Sequence, residues 1–173
     1  YREALEEVRR QMARSYLDEG HSSVTEIAFL LGFADTSTFS RASDPWVSDA
    51  GNTVVQAGIA CTGAALTRGA RSSVLVSRSI DGGFNWGPAV VVADDDGSQY
   101  FNDKESVTID PTDSRYVYVV WDRLDRNDRG PTLLARSVDG GANWSPAVVV
   151  YDPTGSSRQT IGNVALVAPS GVV

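Results

Sequence analysis

A stretch of nineteen residues occurs twice. VLVSRSIDGGFNWGPAVVV at 74–92 returns 58 residues later as TLLARSVDGGANWSPAVVV at 132–150. Each copy is preceded by an alternating apolar element, at 46–60 and 107–121, and VALVAPSGVV at 164–173 reads as a third start. Repetition at a fixed period means one structural unit used more than once. Each unit reads as strand, tight turn, strand, loop, strand, Asp-Gly-Gly turn, strand, because period-two apolar runs are punctuated by Gly, Asn, Asp and Pro. Four antiparallel strands in about fifty to sixty residues make one blade of a β-propeller. The expected fold class is therefore mainly β: a partial propeller of two four-stranded blades, about 46–93 and 106–151, with a third from 162. The chain begins without methionine and stops inside an expected strand, so it reads as a piece of something longer.

Residues 1–43 follow a different period. Leu5, Val8, Met12 and Tyr16 make an apolar helical stripe closed by Gly20. Ser23 and Glu26 form a capping box for a second helix bearing Val24, Ile27, Ala28 and Leu31 and ending at Gly32. Asp35 can cap a third short helix containing Phe39 and Arg41. The switch to strands falls at Asp44-Pro45, where the residue before proline avoids the helical region. This divides the chain into a three-helix segment, 1–43, and a strand-rich segment, 44–173.

Composition narrows the function classes. The formal net charge is −7, with five arginines against seven acids in residues 1–42 and ten basic against fifteen acidic residues in the remainder. A nucleic-acid binder ordinarily carries a basic footprint, and none is visible. No apolar run reaches the ~20 residues of a membrane helix, and no signal segment opens the chain, so no membrane partner is expected. Cys61 is the single cysteine, which rules out an intrachain disulfide and a cysteine-based zinc site and leaves the redox compartment unread.

Two segments resemble known families. Ser79-Ile80-Asp81-Gly82-Gly83-Phe84-Asn85-Trp86 and Ser137-Val138-Asp139-Gly140-Gly141-Ala142-Asn143-Trp144 resemble the Asp box, S-x-D-x-G-x-x-W, of the bacterial-neuraminidase-repeat propellers that include sialidases. The resemblance implies a structural role for Ser79, Asp81, Gly83, Trp86, Ser137, Asp139, Gly141 and Trp144. The aspartate would accept backbone N–H groups across the turn, glycine would supply positive φ, and tryptophan would pack on the sheet.

Strand direction places residues 110–114 at the same end as these turns. Residues 61–71, 93–105, 122–131 and 152–162 fall at the opposite end, where sialidases hold substrate. Asp103, Glu105, Asp122 and Arg123 are the catalytic candidates there, and Lys104, Arg126, Arg129 and Arg158 the ligand-facing ones. Arginine suits a substrate carboxylate through its planar fork, and an acid/base aspartate needs a raised pKa beside the leaving oxygen. The same residues also read as a solvated ion-pair loop. The F/Y-R-I/L-P stretch that opens sialidase catalytic domains is absent, and no Tyr–Glu pair can be assigned. The expectation is a scaffold facing a glycan or a protein ligand, with hydrolase activity as an alternative. Asp94-Asp95-Asp96-Gly97-Ser98 reads as an acidic turn or a calcium loop, without the downstream glutamate of an EF-hand; otherwise no cofactor or metal is expected.

SVTEIAFLLGFADTSTFSRA at 23–42 resembles the end of an AraC-type regulator's DNA-binding domain. That resemblance implies a helix-turn-helix with Thr36, Ser37 and Arg41 facing DNA. The family continues with an aromatic, two basic residues and a G-x-x-P stretch, whereas Ser43-Asp44-Pro45-Trp46 follows here. A three-helix cap and a DNA-binding regulator are thus both open. The two resemblances imply different compartments, export for the propeller and cytoplasm for the regulator. Two blades and a fragment cannot close a ring, so self-association through open sheet edges is expected.

Overall fold

The computed structural model describes residues 46–127, 129–153, 158–171 and 173. The expected helix-turn-helix, with Thr36, Ser37 and Arg41, and the boundary at Asp44-Pro45 lie outside the described residues, as does Asp128. Among the described residues there is no helix. Two four-stranded sheets follow one another along the chain, β1 (Trp46–Ala50), β2 (Thr53–Thr62), β3 (Arg71–Ser79) and β4 (Val90–Asp96), then β5 (Tyr100–Ile109), β6 (Val117–Asp125), β7 (Thr132–Ser137) and β8 (Val148–Tyr151). In each sheet, strands consecutive in the chain are hydrogen-bonded neighbours and antiparallel.

Alternation along β2 and β6 explains how the sheets meet. Val55, Ala57 and Ile59 of β2, with Val74 and Val76 of β3, pack against Val107 and Ile109 of β5, Val117, Val119 and Trp121 of β6, and Leu133 and Ala135 of β7. All of these are buried, and they form one core between two facing sheets. The other side of β6 is apolar too. Tyr118 and Val120 cluster with Ala165, and Val167 packs at its margin. A strand apolar on both sides needs a neighbour on each, and β6 has one on each.

The outer ends of the strands differ from the sequence expectation. Residues 93–105 are not one long loop: β4 runs on through Asp96, and β5 begins at Tyr100 rather than near 106. Asp94, Asp95 and Asp96 pair in register with Ser73, Ser72 and Arg71 of β3. The backbone ladder tolerates these acids because Arg71 and Ser73 supply donors to Asp94. Asp122–Asp125 likewise belongs to β6 and pairs with β5. Charge in these stretches suggested loops, but the carboxylates find partners: Asp94 across its own sheet, Asp95 on the facing sheet, Asp122 on residues 160–163, and Asp96 and Asp125 within their own turns.

The expected third start carries no strand assignment, yet it has a defined place. Asn102 donates its backbone N–H to Ser72 Oγ (2.9 Å), and Thr160 donates its own to the Gly130 carbonyl (2.8 Å). Both partners are displaced by the 58-residue period. The backbone kink is repeated as well, since Lys104 (φ 50°) and Gly162 (φ 68°) are both left-handed and again 58 apart. Ser106 and Thr108 then donate to the Asn163 and Ala165 carbonyls, each at 2.8 Å. Residues 158–168 therefore lie on the second sheet as the start of β5 lies on the first. Among the described residues no strand pairs with them, so no ladder defines a strand there.

Gly97 turns the chain between the sheets with its N–H on the Ala70 carbonyl at 2.9 Å. A Cβ at Gly97 would stand 2.7 Å from the Ala70 carbonyl carbon and from the Arg71 amide nitrogen. Both are backbone atoms that cannot rotate away. Gly97→Ala is expected to lower stability by about 1–3 kcal/mol, the usual cost of overpacking, as measured by denaturant unfolding. A midpoint unchanged from wild type would contradict this close approach.

Candidate functional site

The two ends of the sheet pair are chemically unlike. At one end lie the two Asp-Gly-Gly turns, each joined to the first turn of its own sheet. Gly82 donates its N–H to the Asn52 carbonyl (2.9 Å) and Gly140 to the Arg115 carbonyl (2.8 Å), which puts the first and third turns at the same end, as strand direction predicted.

Within each turn a serine and an aspartate organise the backbone. Ser79 Oγ donates to Asp81 Oδ1 (2.7 Å) and accepts the Gly83 N–H (2.9 Å), while Asp81 accepts the Asn85 backbone N–H (2.9 Å) and side-chain amide (2.6 Å). The second turn repeats this set with Ser137, Asp139, Gly141 and Asn143 at 2.7–2.8 Å. Trp86 and Trp144 donate their indole N–H to the Gly83 and Gly141 carbonyls, at 3.0 and 3.2 Å. All four turn glycines have positive φ, between 71° and 95°.

Asn85 and Asn143 complete the clamp but were not singled out from the sequence. Their recurrence at the same position of both copies was the available signal. The Asn85 donors, backbone first, hold Asp81 down to a pKa of about 2, and the Asn143 side chain leads the same effect on Asp139. Both carboxylate oxygens of each aspartate are engaged within the turn. The second turn also touches the first sheet: Arg78 donates to the Asp139 carbonyl (3.1 Å), and Gly141 faces Val55.

The opposite end gathers the ionisable residues. Arg123 lies over the Tyr100 ring (4.7 Å to the centroid) and reaches Asp95 Oδ1 at 3.5 Å. Asp95 is held from behind by Asn102, whose amide donates to Asp95 Oδ2 and to the Ser72 carbonyl, both at 3.0 Å. Asn102 is fully buried and accepts the Trp121 indole N–H (2.9 Å). Tyr100 and Asn102 gave no sign of these roles in the sequence, because only the folded register brings them to Arg123 and Asp95. Arg126 joins two loops by donating to the Ser98 and Leu66 carbonyls. Arg129 is bound to Asp125, with Nε–Oδ2 2.9 Å, which is the ion-pair behaviour open from the sequence. Arg158 is exposed, and its carbonyl accepts the Gly130 N–H.

The acidic candidates separate. Asp103 is half-buried and pairs across the strands with Asp122. Glu105 is 3% exposed, at the irregularity of β5 that follows left-handed Lys104. Asp122 is 1% exposed; burial raises its pKa, against the pull of donors from Thr160, Gly162 and Asn163. The stretch 94–98, open from the sequence as an acidic turn or a calcium loop, is the end of strand β4 and the turn after it. Asp94 binds Arg71 and Ser73, Asp95 binds Asn102 and Arg123, and Asp96 accepts the Ser98 N–H (2.9 Å). Neighbouring strand residues point to opposite faces, which keeps these three carboxylates from converging. No group of three or more potential metal ligands occurs among the described residues.

No protein-family model matches the chain, and no curated protein matches it. Among solved structures it is similar to the Hadza microbial sialidase Hz136, with TM-score 0.50 and 21% identity over 61% of this chain and 25% of that one. The chain thus spans about a quarter of that sialidase's length. At this identity the likeness establishes a sialidase-like β fold.

The two clamped aspartates give a pH dependence with a definite sign. Their folded pKa of about 2 lies below the ordinary 3.8, so the stability they confer is complete above that ordinary value and is lost as pH falls through it toward 2. Asp122, with its pKa raised, works in the opposite direction. The melting temperature is expected to drop between about pH 5 and about pH 2. The Asp81→Asn/Asp139→Asn double variant should melt lower at neutral pH and show a shallower acid decline. Equal slopes for the two proteins would remove the clamp from this account.

Proposed function

We propose that the strand-rich segment is part of an Asp-box propeller that offers a ligand surface at the loop end opposite the two Asp-Gly-Gly turns. Its ligand is a glycan bearing a carboxylate, and the chain acts as a binding scaffold without turnover. The observation that carries this reading is Arg123. Its guanidinium is backed by the Tyr100 ring and braced by Asp95, so it can meet an anion with little loss of side-chain freedom. Arg126 and Arg129 stand in the same loop end, but their donors already serve loops and Asp125. Asp122 lacks a free oxygen for proton transfer, which argues against it as the acid of a hydrolase.

Saturation-transfer NMR with a sialylated oligosaccharide and its neutral counterpart tests the proposal. Binding is expected only for the sialylated form, weakened about tenfold or more in Arg123→Ala, the usual scale for losing a charged hydrogen-bond partner. Equal affinity of the variant would refute it. A chromogenic sialoside should not be hydrolysed; turnover abolished by Arg123→Ala would establish the enzyme instead.

The same proposal includes self-association through β8. All four residues of β8, Val148, Val149, Val150 and Tyr151, are exposed, and β8 forms an edge of its sheet. By contrast, the outer strand of the first sheet, β4, ends in three aspartates. Apolar unprotected edges pair with one another, whereas edge charges prevent it. Sedimentation is expected to show association that Val149→Lys reduces; a wild-type monomer at high concentration would dispose of this part.

A further inference from the structure

We propose that Asp122 is a positioning residue, whose buried carboxylate moors residues 160–163 to the second sheet, next to Arg158. Three donors converge on this carboxylate. The Thr160 hydroxyl reaches Oδ1 at 2.6 Å, the Gly162 N–H reaches Oδ2 at 3.0 Å, and the Asn163 side-chain amide also donates to Oδ1. A carboxylate surrounded by donors at this depth forms charge-assisted bonds, about twice as strong as neutral ones.

The first sheet provides an internal control. Counting five residues along the strand from Val54 and from Val117, each paired with its turn serine, reaches Ile59 in one sheet and Asp122 in the other. Their cross-strand partners are Val74 and Thr132. An apolar pair beneath the β5 kink is thus replaced by a polar pair beneath the kink at Gly162. That kink turns a backbone N–H inward, and a carboxylate can accept it where isoleucine cannot. The neighbouring bond from the Thr160 N–H to the Gly130 carbonyl, at 2.8 Å, holds the same segment at its other side.

This mooring does not depend on which ligand the loop end takes, and its test needs no ligand. Amide hydrogen exchange of the full chain is compared for wild type, Asp122→Asn and Asp122→Ile. Asparagine would turn an amide donor toward one of the segment's own donors, and isoleucine restores the residue of the first sheet. Exchange at Gly162 is expected to rise about tenfold or more in both, with Val76 and Val119 as protected as in wild type. The Gly162 amide proton should move upfield.

Thr160→Val should loosen the segment in the wild-type background and add little to Asp122→Asn, as expected for partners in one network. Unchanged protection at Gly162, or full additivity, overturns the proposal. If the Asp122 variants do not fold, Thr160→Val and Asn163→Ala decide it alone, and failure of both to loosen the segment is equally fatal.

Discussion

Burial on both faces of the second sheet is the constraint on which the rest depends. Val117, Val119 and Trp121 look one way from β6 and Tyr118 and Val120 the other, so the strand is stable only between two neighbours. The first neighbour is a whole sheet, and the second is the 158–168 segment. Everything at the loop end is arranged by that stacking. Arg123 meets Asp95 because the two sheets face each other, and Asp122 meets Thr160 because the next segment is drawn onto the free face. Apolar packing between sheets therefore does the placing, and the polar contacts read out where it has placed them.

The repeat was legible because hairpins are written locally. Asp81 and Asp139 with their glycines and tryptophans announce a tight turn, and the alternation before them announces strands. Sheet count, strand order and the distribution of turns between two ends followed from those signals. Strand ends were less legible. Asp94–Asp96 and Asp122–Asp125 carry charges that read as loops, yet Arg71 and Ser73 of the adjoining strand receive Asp94, Asn102 of the facing sheet receives Asp95, and residues 160–163 receive Asp122. Local composition cannot report a partner that arrives through folding.

The loop-end residues illustrate the same limit. Arg123 was visible as a charge in a promising place, but its aromatic backing by Tyr100 and the Asn102–Asp95 brace exist only in the folded register. Asp122 was read as a candidate for chemistry because an isolated aspartate gives no sign of burial. Only the folded register marks the position as interior: Ile59 faces Val74 as Asp122 faces Thr132, and a carboxylate at that depth must be satisfied by donors.

The turn-to-loop bonds of three glycines have a chemical consequence for how the protein ages. Asp81-Gly82, Asp96-Gly97 and Asp139-Gly140 are the dipeptides in which a glycine nitrogen most readily attacks the preceding carboxyl, closing a succinimide that reopens as isoaspartate. Here the nitrogens of Gly82, Gly97 and Gly140 are each committed to a carbonyl on a neighbouring loop, those of Asn52, Ala70 and Arg115. The contacts that dock one loop against another also withhold the nucleophile, so covalent damage at these bends should accumulate only as fast as the hairpins open.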